Sequence, residues 1–255
     1  MRQFLSQNRT NINFNNVNQV SKRFGSAFTI IELLIVIVII GVLVAITTVS
    51  YIGITDSAKD ATVASEIASA HQEITIKAAY AGATPVSRPI AYLKSPGIQK
   101  LSSTLENAQE ISMYTVFDEN GDLSGFNWTN IARMIPNVGG NRIELRTANS
   151  TSDTARGFYE TSSIKNQDII SSDIFNGSGR HFGWITTGSG VIQSGYDTKA
   201  SSRALTTHNG WNFDSVGISE FRGVKPQAVL VFNEYHDAAK REQVISWLKN
   251  EYNIN

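Results

Sequence analysis

The 255-residue chain carries 22 basic and 22 acidic side chains and no cysteine. That balance excludes a uniformly basic, nucleic-acid-gripping body, and the missing cysteine rules out disulfides, thiolate metal sites and cysteine nucleophiles. The balance is uneven: residues 1–27 hold Arg2, Arg9, Lys22 and Arg23 and no acid, so the remainder holds 18 basic against 22 acidic side chains. The length leaves room for one or two domains.

Residues 1–21 are polar and asparagine-rich, with Asn8, Asn11, Asn13, Asn15, Asn16 and Asn18, and show no hydrophobic period. They read as a disordered leader that is removed. From Leu33 to Thr55 there are 23 residues without a charge. As a helix rising ~1.5 Å per residue this run covers roughly 34 Å, enough to cross the hydrocarbon core of a bilayer. The cationic leader keeps the N-terminal side in the cytoplasm and sends the C-terminal bulk outside. Glu32 stands at the upstream edge of the run. A carboxylate is costly to bury alone at membrane depth, so a partner for it is implied.

The stretch Ala27-Phe28-Thr29-Ile30-Ile31-Glu32-Leu33, behind a basic leader and ahead of an unbroken apolar helix, resembles the class III signal of type IV pilins and their relatives. Gly41 and Tyr51 also fall where helices of that family carry a glycine and a tyrosine. There are two departures: Ala27 stands where the family usually has glycine, and Val49 where it usually has proline. The resemblance is strong over residues 22–52 and fades after about residue 80. It implies that a membrane prepilin peptidase cuts between Ala27 and Phe28 and methylates the new amine of Phe28. It implies that Glu32 faces the N-terminal amine of a neighbouring subunit during assembly. It also implies other pilin subunits and a membrane assembly platform as partners, with a single-pass precursor in the cytoplasmic membrane and a mature product on an extracellular pilus. Many pilins staple a C-terminal loop with a cysteine pair; here the head must be held by core packing or a metal. Two plainer readings compete. An ordinary secretory signal would need a small-residue cleavage site, and Thr47-Thr48-Val49-Ser50-Tyr51 is a poor one. A plain single-pass anchor would need neither Glu32 nor the Phe-Thr start.

Past the apolar run, Val63, Ile67, Ala70, Ile74 and Ala78 form a narrow stripe at helical spacing, with Asp56, Lys59, Asp60, Glu66, Glu73 and Lys77 off it. The helix is expected to continue to about residue 81, with 28–55 as its membrane or filament-core part. His71 reads as an exposed helix residue. Residues 82–104 hold three of the five prolines (Pro85, Pro89, Pro96) and read as a linker. Residues 105–255 read as a β-rich head. Its expected strands are Ile111–Phe117, Asn127–Met134, Arg142–Thr147, Gly157–Thr161, His181–Thr186, Gly190–Tyr196 and Gln227–Phe232, punctuated by Asn-Gly and Gly-Gly turns. Asp237 is expected to cap a last helix reaching about Tyr252, with Val244, Ile245, Leu248 and Tyr252 on its buried face. The fold class is therefore α+β: a long N-terminal helix, an antiparallel β-sandwich-like head and a C-terminal helix.

Residues 224–233, then Asp237 and the segment through Glu242, Val244, Trp247, Leu248 and Tyr252, resemble the close of bacterial concanavalin-like (laminin-G-like) jelly rolls. The strands at Tyr114–Phe117 and Asn141–Arg146 suit that family's early strands. A pilin head with extra strands is the competing reading.

Candidate chemistry is sparse. Asp118, Asn120 and Asp122 space oxygen ligands two apart, as calcium loops do, but Leu123 and Thr129 stand where an EF-hand needs Gly and Glu. A hairpin turned at Asn120-Gly121 explains the same residues, so calcium is a possible cofactor and no other is implied. Trp211, with His208 in the same loop and Tyr196, is the candidate ligand-binding group, since aromatic faces stack on sugar rings; Trp184 and Trp128 read as core. His181, His208 and His236 show no zinc spacing, and no nucleophile elbow is evident. The chain is expected not to be an enzyme. The expected function is a structural subunit of a type IV pilus or related filament whose head serves adhesion to a surface glycan or protein. The alternatives are a pseudopilin of a secretion or DNA-uptake machine, and a membrane-anchored carbohydrate-active enzyme using acids such as Glu144, Glu160 and Glu234.

Overall fold

The structure is a computed structural model describing residues 29–119, 128–136, 141–148, 154–160, 167–174, 179–205, 210–219 and 224–254. The chain divides into two units, Met1–Thr55 and Asp56–Asn255. Ala27, Phe28, Asn120, Asp122 and His208, and the side chain of Trp128, lie outside the described residues.

One helix, α1 (Ile30–Tyr80), runs for 51 residues. Its start is specified locally. The Thr29 Oγ1 accepts from the Glu32 N–H at 3.2 Å, and the Thr29 N–H donates back to Glu32 Oε2 at 2.8 Å. Two N–H groups that a helix start leaves unpaired are satisfied reciprocally, the capping box of a Thr-x-x-Glu sequence. Its end is equally local. Gly82 takes φ 65°, where a side chain would be strained, and the Ala83 N–H returns to the Ala78 carbonyl at 3.0 Å.

The second unit is a two-sheet antiparallel sandwich. Its strands are β1 (Ala91–Leu93), β2 (Gly97–Ala108), β3 (Ile111–Glu119), β4 (Trp128–Pro136), β5 (Arg142–Ala148), β6 (Thr154–Glu160), β7 (Gln167–Ile174), β8 (Gly179–Gly188), β9 (Val191–Tyr196), β10 (Lys199–Ala204), β11 (Trp211–Ile218) and β12 (Val224–Phe232). The first sheet is ordered β1-β12-β3-β8-β9-β10 and the second β2-β11-β4-β5-β6-β7. The closing helix α2 spans Ala238–Tyr252.

The central strands of the first sheet are buried on both faces, and their sequence says why. In β3, Ile111, Met113 and Phe117 face the core between the sheets, where Val229 and Val231 of β12 join Leu145, Trp211 and Phe213. The alternate residues Tyr114 and Val116, with Ala228, Leu230 and Phe232 of β12, face a second core built with the helices. Strands covered on both sides carry near-continuous apolar runs because neither face meets water. The second core takes Ile67, Ala70 and Ile74 from α1 and Val244, Trp247 and Leu248 from α2. The stripe expected on α1 is thus the buried one: Ile67, Ala70, Ile74 and Ala78 are all closed off from solvent, with Val63 partly so.

The structure corrects the sequence reading at several points. The segment expected as a linker over 82–104 supplies β1 and the first two-thirds of β2, one strand to each sheet. Strands β7, β10 and β11 were not expected. His71 is half-buried, with Nε2 3.2 Å from the Val86 carbonyl oxygen. The helix capped by Asp237, which accepts from the Lys240 N–H at 2.9 Å, buries Trp247 where Ile245 and Tyr252 were expected; those two are only partly covered.

Candidate functional site

The N-terminal unit presents an apolar surface. The window Ile30–Thr48 is long and apolar enough to cross a membrane, and its side chains are exposed among the described residues. Isoleucine, leucine and valine side chains point out on every side of the helix. A helix apolar all round is stable only when lipid or other helices cover it. The hydroxyls do not break this pattern: Thr47 and Thr48 donate back to the carbonyls of Leu43 and Val44, at 2.9 and 2.7 Å. Glu32 is the single charge here. Both bonds from Thr29 fall on its Oε2, the second from the hydroxyl at 3.0 Å, so Oε1 has no bond among the described residues.

In the head, the aromatic residues expected to meet a ligand do not converge on a surface. Trp211 is fully buried between the sheets and stacks on Phe213 with centroids 6.1 Å apart. Tyr196 is buried in the same core, edge-on to Phe117 at 6.3 Å, with its hydroxyl donating to the Arg146 carbonyl at 3.4 Å. Its ring lies directly over Gly183, where any Cβ would collide with it. Burial holds the Tyr196 hydroxyl well above the ordinary phenol range. Both rings are packing elements, and the reading of Trp211 and Tyr196 as sugar platforms is corrected. Trp184 is buried as expected, with the Arg241 guanidinium 4.5 Å over its ring.

Asp118 has its carboxylate committed. Arg180 Nε donates to Oδ1 at 2.6 Å, and Arg180 Nη2 and Gln227 Nε2 donate to Oδ2 at 3.2 and 2.8 Å. Arg180 Nη1 also donates to the Tyr252 carbonyl at 2.7 Å, tying β8 to the end of α2. No group of three His, Asp or Glu side chains able to hold a metal occurs among the described residues.

The acids considered for catalysis each have a separate partner. Glu144 pairs with Arg146, whose Nε donates to it at 2.6 Å, and Glu160 pairs with Arg142 at 3.8 Å. Glu234 belongs to a buried polar network that the sequence did not announce. Its Oε1 lies 3.0 Å from His236 Nε2 and accepts from the Ser87 N–H at 2.5 Å, and its Oε2 accepts from Lys240 Nζ at 2.6 Å. His236 is fully buried, with Nδ1 2.7 Å from the Tyr114 hydroxyl. Burial pushes the Glu234 carboxyl up, but the bonds from His236, Lys240 and Ser87 outweigh it and hold the group at about 2. Burial holds His236 below the usual imidazole range, against the opposing pull of Glu234. The geometry then assigns a neutral ring: Nε2–H donates to Glu234, and Nδ1 accepts from Tyr114, whose own ionisation burial suppresses. The network pins the 234–237 turn and α2 to the first sheet. Its signal in the sequence was only Glu234-Tyr-His236 directly after a strand.

A surface groove lies elsewhere on this unit. It has a volume of about 390 Å³ and lies between the α1 residues Asp60, Val63 and Ile67 and the β2 residues Gln99 to Ser102, with Arg88 at its rim.

No protein-family model matches the chain, and no curated protein matches it. Among solved structures, the chain is similar to the binding domain of botulinum neurotoxin DC, at 15% identity and a TM-score of 0.47, over 63% of this chain and 42% of that one. It is also similar to Trypanosoma rangeli sialidase, at 8% identity and a TM-score of 0.40, over 56% of this chain and 23% of that one. A third likeness is to the CBM2 module of an evolved Dit protein of Lactobacillus casei BL23 phage J-1, at 13% identity and a TM-score of 0.35, over 52% and 65%. The chain spans less than half the length of the first two. These likenesses transfer no function to it.

Proposed function

We propose that this chain is a structural subunit of a type IV pilus or related filament, built around α1 and displaying its β-sandwich as a binding head. The observation that carries the reading is the sequence Ala27-Phe28-Thr29-Ile30-Ile31-Glu32 at the mouth of one helix that is apolar on every side over Ile30–Thr48 and amphipathic from Val63 onward. Such a helix asks for two covers, lipid in a precursor and neighbouring helices in an assembly. In this reading a prepilin peptidase cuts between Ala27 and Phe28 and methylates Phe28. Oε2 of Glu32 stays in the capping box, and Oε1 meets the new amine of a neighbouring subunit. The head then stands outside the cell as an adhesin for a glycan or protein, and the concanavalin-like likeness of β12 and α2 fits such a display module.

The test is assembly. Filaments sheared from cells should contain this chain and bind antibodies raised against residues 105–255 along their length or at their tips. Glu32→Ala should leave the protein in the membrane and remove it from the sheared fraction. Normal assembly of that variant would refute the role given to Glu32. Absence of the chain from any surface filament would favour a periplasm-confined pseudopilin, or an anchored enzyme if the membrane-bound protein turned over glycans.

A further inference from the structure

We propose that the groove between α1 and the outer edge of β2 receives an extended peptide segment of a partner protein, one that places an acidic side chain beside apolar ones and adds to the second sheet as a further strand. The inference concerns the unit Asp56–Asn255 alone and does not depend on filament assembly.

The backbone comes first. β2 is the end strand of its sheet, so among the described residues no strand of that sheet pairs with its other side. The Ser102 N–H points to that side, where it donates to the Ile90 carbonyl at 2.7 Å. Along Gly97–Lys100, beyond the irregular stretch that holds Ser102, an end strand turns alternate backbone groups away from its one neighbour. Unpaired edge groups of this kind are a template for an added strand. Ile98 is 67% exposed at this edge, where proteins ordinarily avoid a large apolar side chain.

The side chains then select the occupant. Val63, Ile67 and Leu101 make an apolar floor. Arg88 donates Nη2 to the Ala64 carbonyl at 3.3 Å. Neither Arg88 nor Lys100 is in an ion pair among the described residues, and Asp60 is the one acid lining the groove. Gln99, which also lines the groove, has its Oε1 buried without a hydrogen-bond partner among the described residues. The groove therefore offers main-chain pairing, an apolar seat and two cations, which suits an acidic residue flanked by apolar ones. A second copy of this strand fits poorly. Pairing β2 with β2 brings Lys100 towards its own equivalent, and a lysine on an edge strand is a known guard against such pairing.

The test uses the full-length protein in nanodiscs and a set of fluorescein-labelled pentapeptides placing Glu or Asp between Val, Ile or Leu residues. Fluorescence anisotropy should show saturable binding of at least some members. Lys100→Glu and Arg88→Gln should each weaken it at least tenfold, with Lys100→Glu leaving the melting temperature unchanged because the residue is exposed. Replacing the peptide's acid by Lys, or methylating alternate peptide nitrogens, should weaken it to a similar extent. The proposal is overturned if no member binds, or if both variants bind as the parent does. It is equally overturned if N-methylated peptides bind undiminished, if glucuronate alone saturates the groove and excludes the peptides, or if the protein self-associates through this edge in a way that Lys100→Glu abolishes.

Discussion

Two stretches of one helix solve opposite problems. Residues 30–48 are apolar on every side and exposed among the described residues, whereas residues 63–78 are apolar along one stripe and bury it under the first sheet and α2. The first stretch is specified by composition alone: any rotation about its axis presents the same surface. The second is specified by spacing: rotating it by one residue would bring Glu66 or Glu73 under the sheet. Residues of the first kind call for a medium or a bundle of like helices. Those of the second call for one particular partner surface. Both follow from the same burial physics, applied to 360° and to roughly 100° of a helix.

The comparison is broken most strongly on the amphipathic side. Trp247 of α2 donates its Nε1–H to Glu73 of α1 at 2.8 Å and sits edge-on to Tyr92 at 5.8 Å. Trp247→Ala should cost about 3–5 kcal/mol, lowering the melting temperature of the head by roughly 10 °C or more. Calorimetry checks it. On the other side, Ile39→Arg places a charge at the middle of the apolar window and should cost about 3 kcal/mol of membrane insertion. Alkaline extraction should then release the protein, while the melting of the head stays as it was.

Acid should act only on the head's side of the comparison. Glu234 is held at about 2 against its ordinary 4.5, so its contribution is complete above pH 4.5 and is lost as pH falls towards 2. His236 is held below 6.5 by burial, so the unfolded chain takes up its proton first and stability begins to fall as pH drops below that value. Melting temperature should therefore decline from about pH 6.5 downward. Glu234→Gln should flatten the limb below pH 4.5 and, because the carboxylate no longer offsets the burial of His236, steepen the upper one. Removing the cap with Asp237→Ala should cost about 1 kcal/mol. The smallest expected effect is that of a chelator: with both Asp118 oxygens held by Arg180 and Gln227, it should leave the melting temperature unchanged, and a clear drop would restore a calcium site.

What the sequence disclosed and what it withheld follows the same division. The α+β class, the stripe on α1, β3, β12 and the Asp237 cap were legible because each has a period or a cap residue of its own. β2 was not, because it buries only Leu101 and Leu105 along GIQKLSSTLENA and so lacks alternation, as an edge strand is free to do. β10 was missed for the same reason: none of KASSRA is fully covered. Trp211 and Tyr196 look, in sequence, like loop-borne aromatics. Only the pairing of Trp211 with Ala108 and of Tyr196 with Gly183 turns them inward. Glu32 is legible as a charge needing a partner, and its nearest one is local, in the Thr29-x-x-Glu32 box. The Tyr114–His236–Glu234 network joins positions more than 100 residues apart, and no local pattern announces it.

The central claim, that the apolar stretch begins a mature subunit, is tested most directly by the mass of the N-terminal peptide of the protein taken from cells. The account predicts a chain starting at Phe28 with a methylated amine. An intact Met1 would make the helix a plain anchor, and a start beyond residue 46 would make it a discarded signal; either would contradict the account.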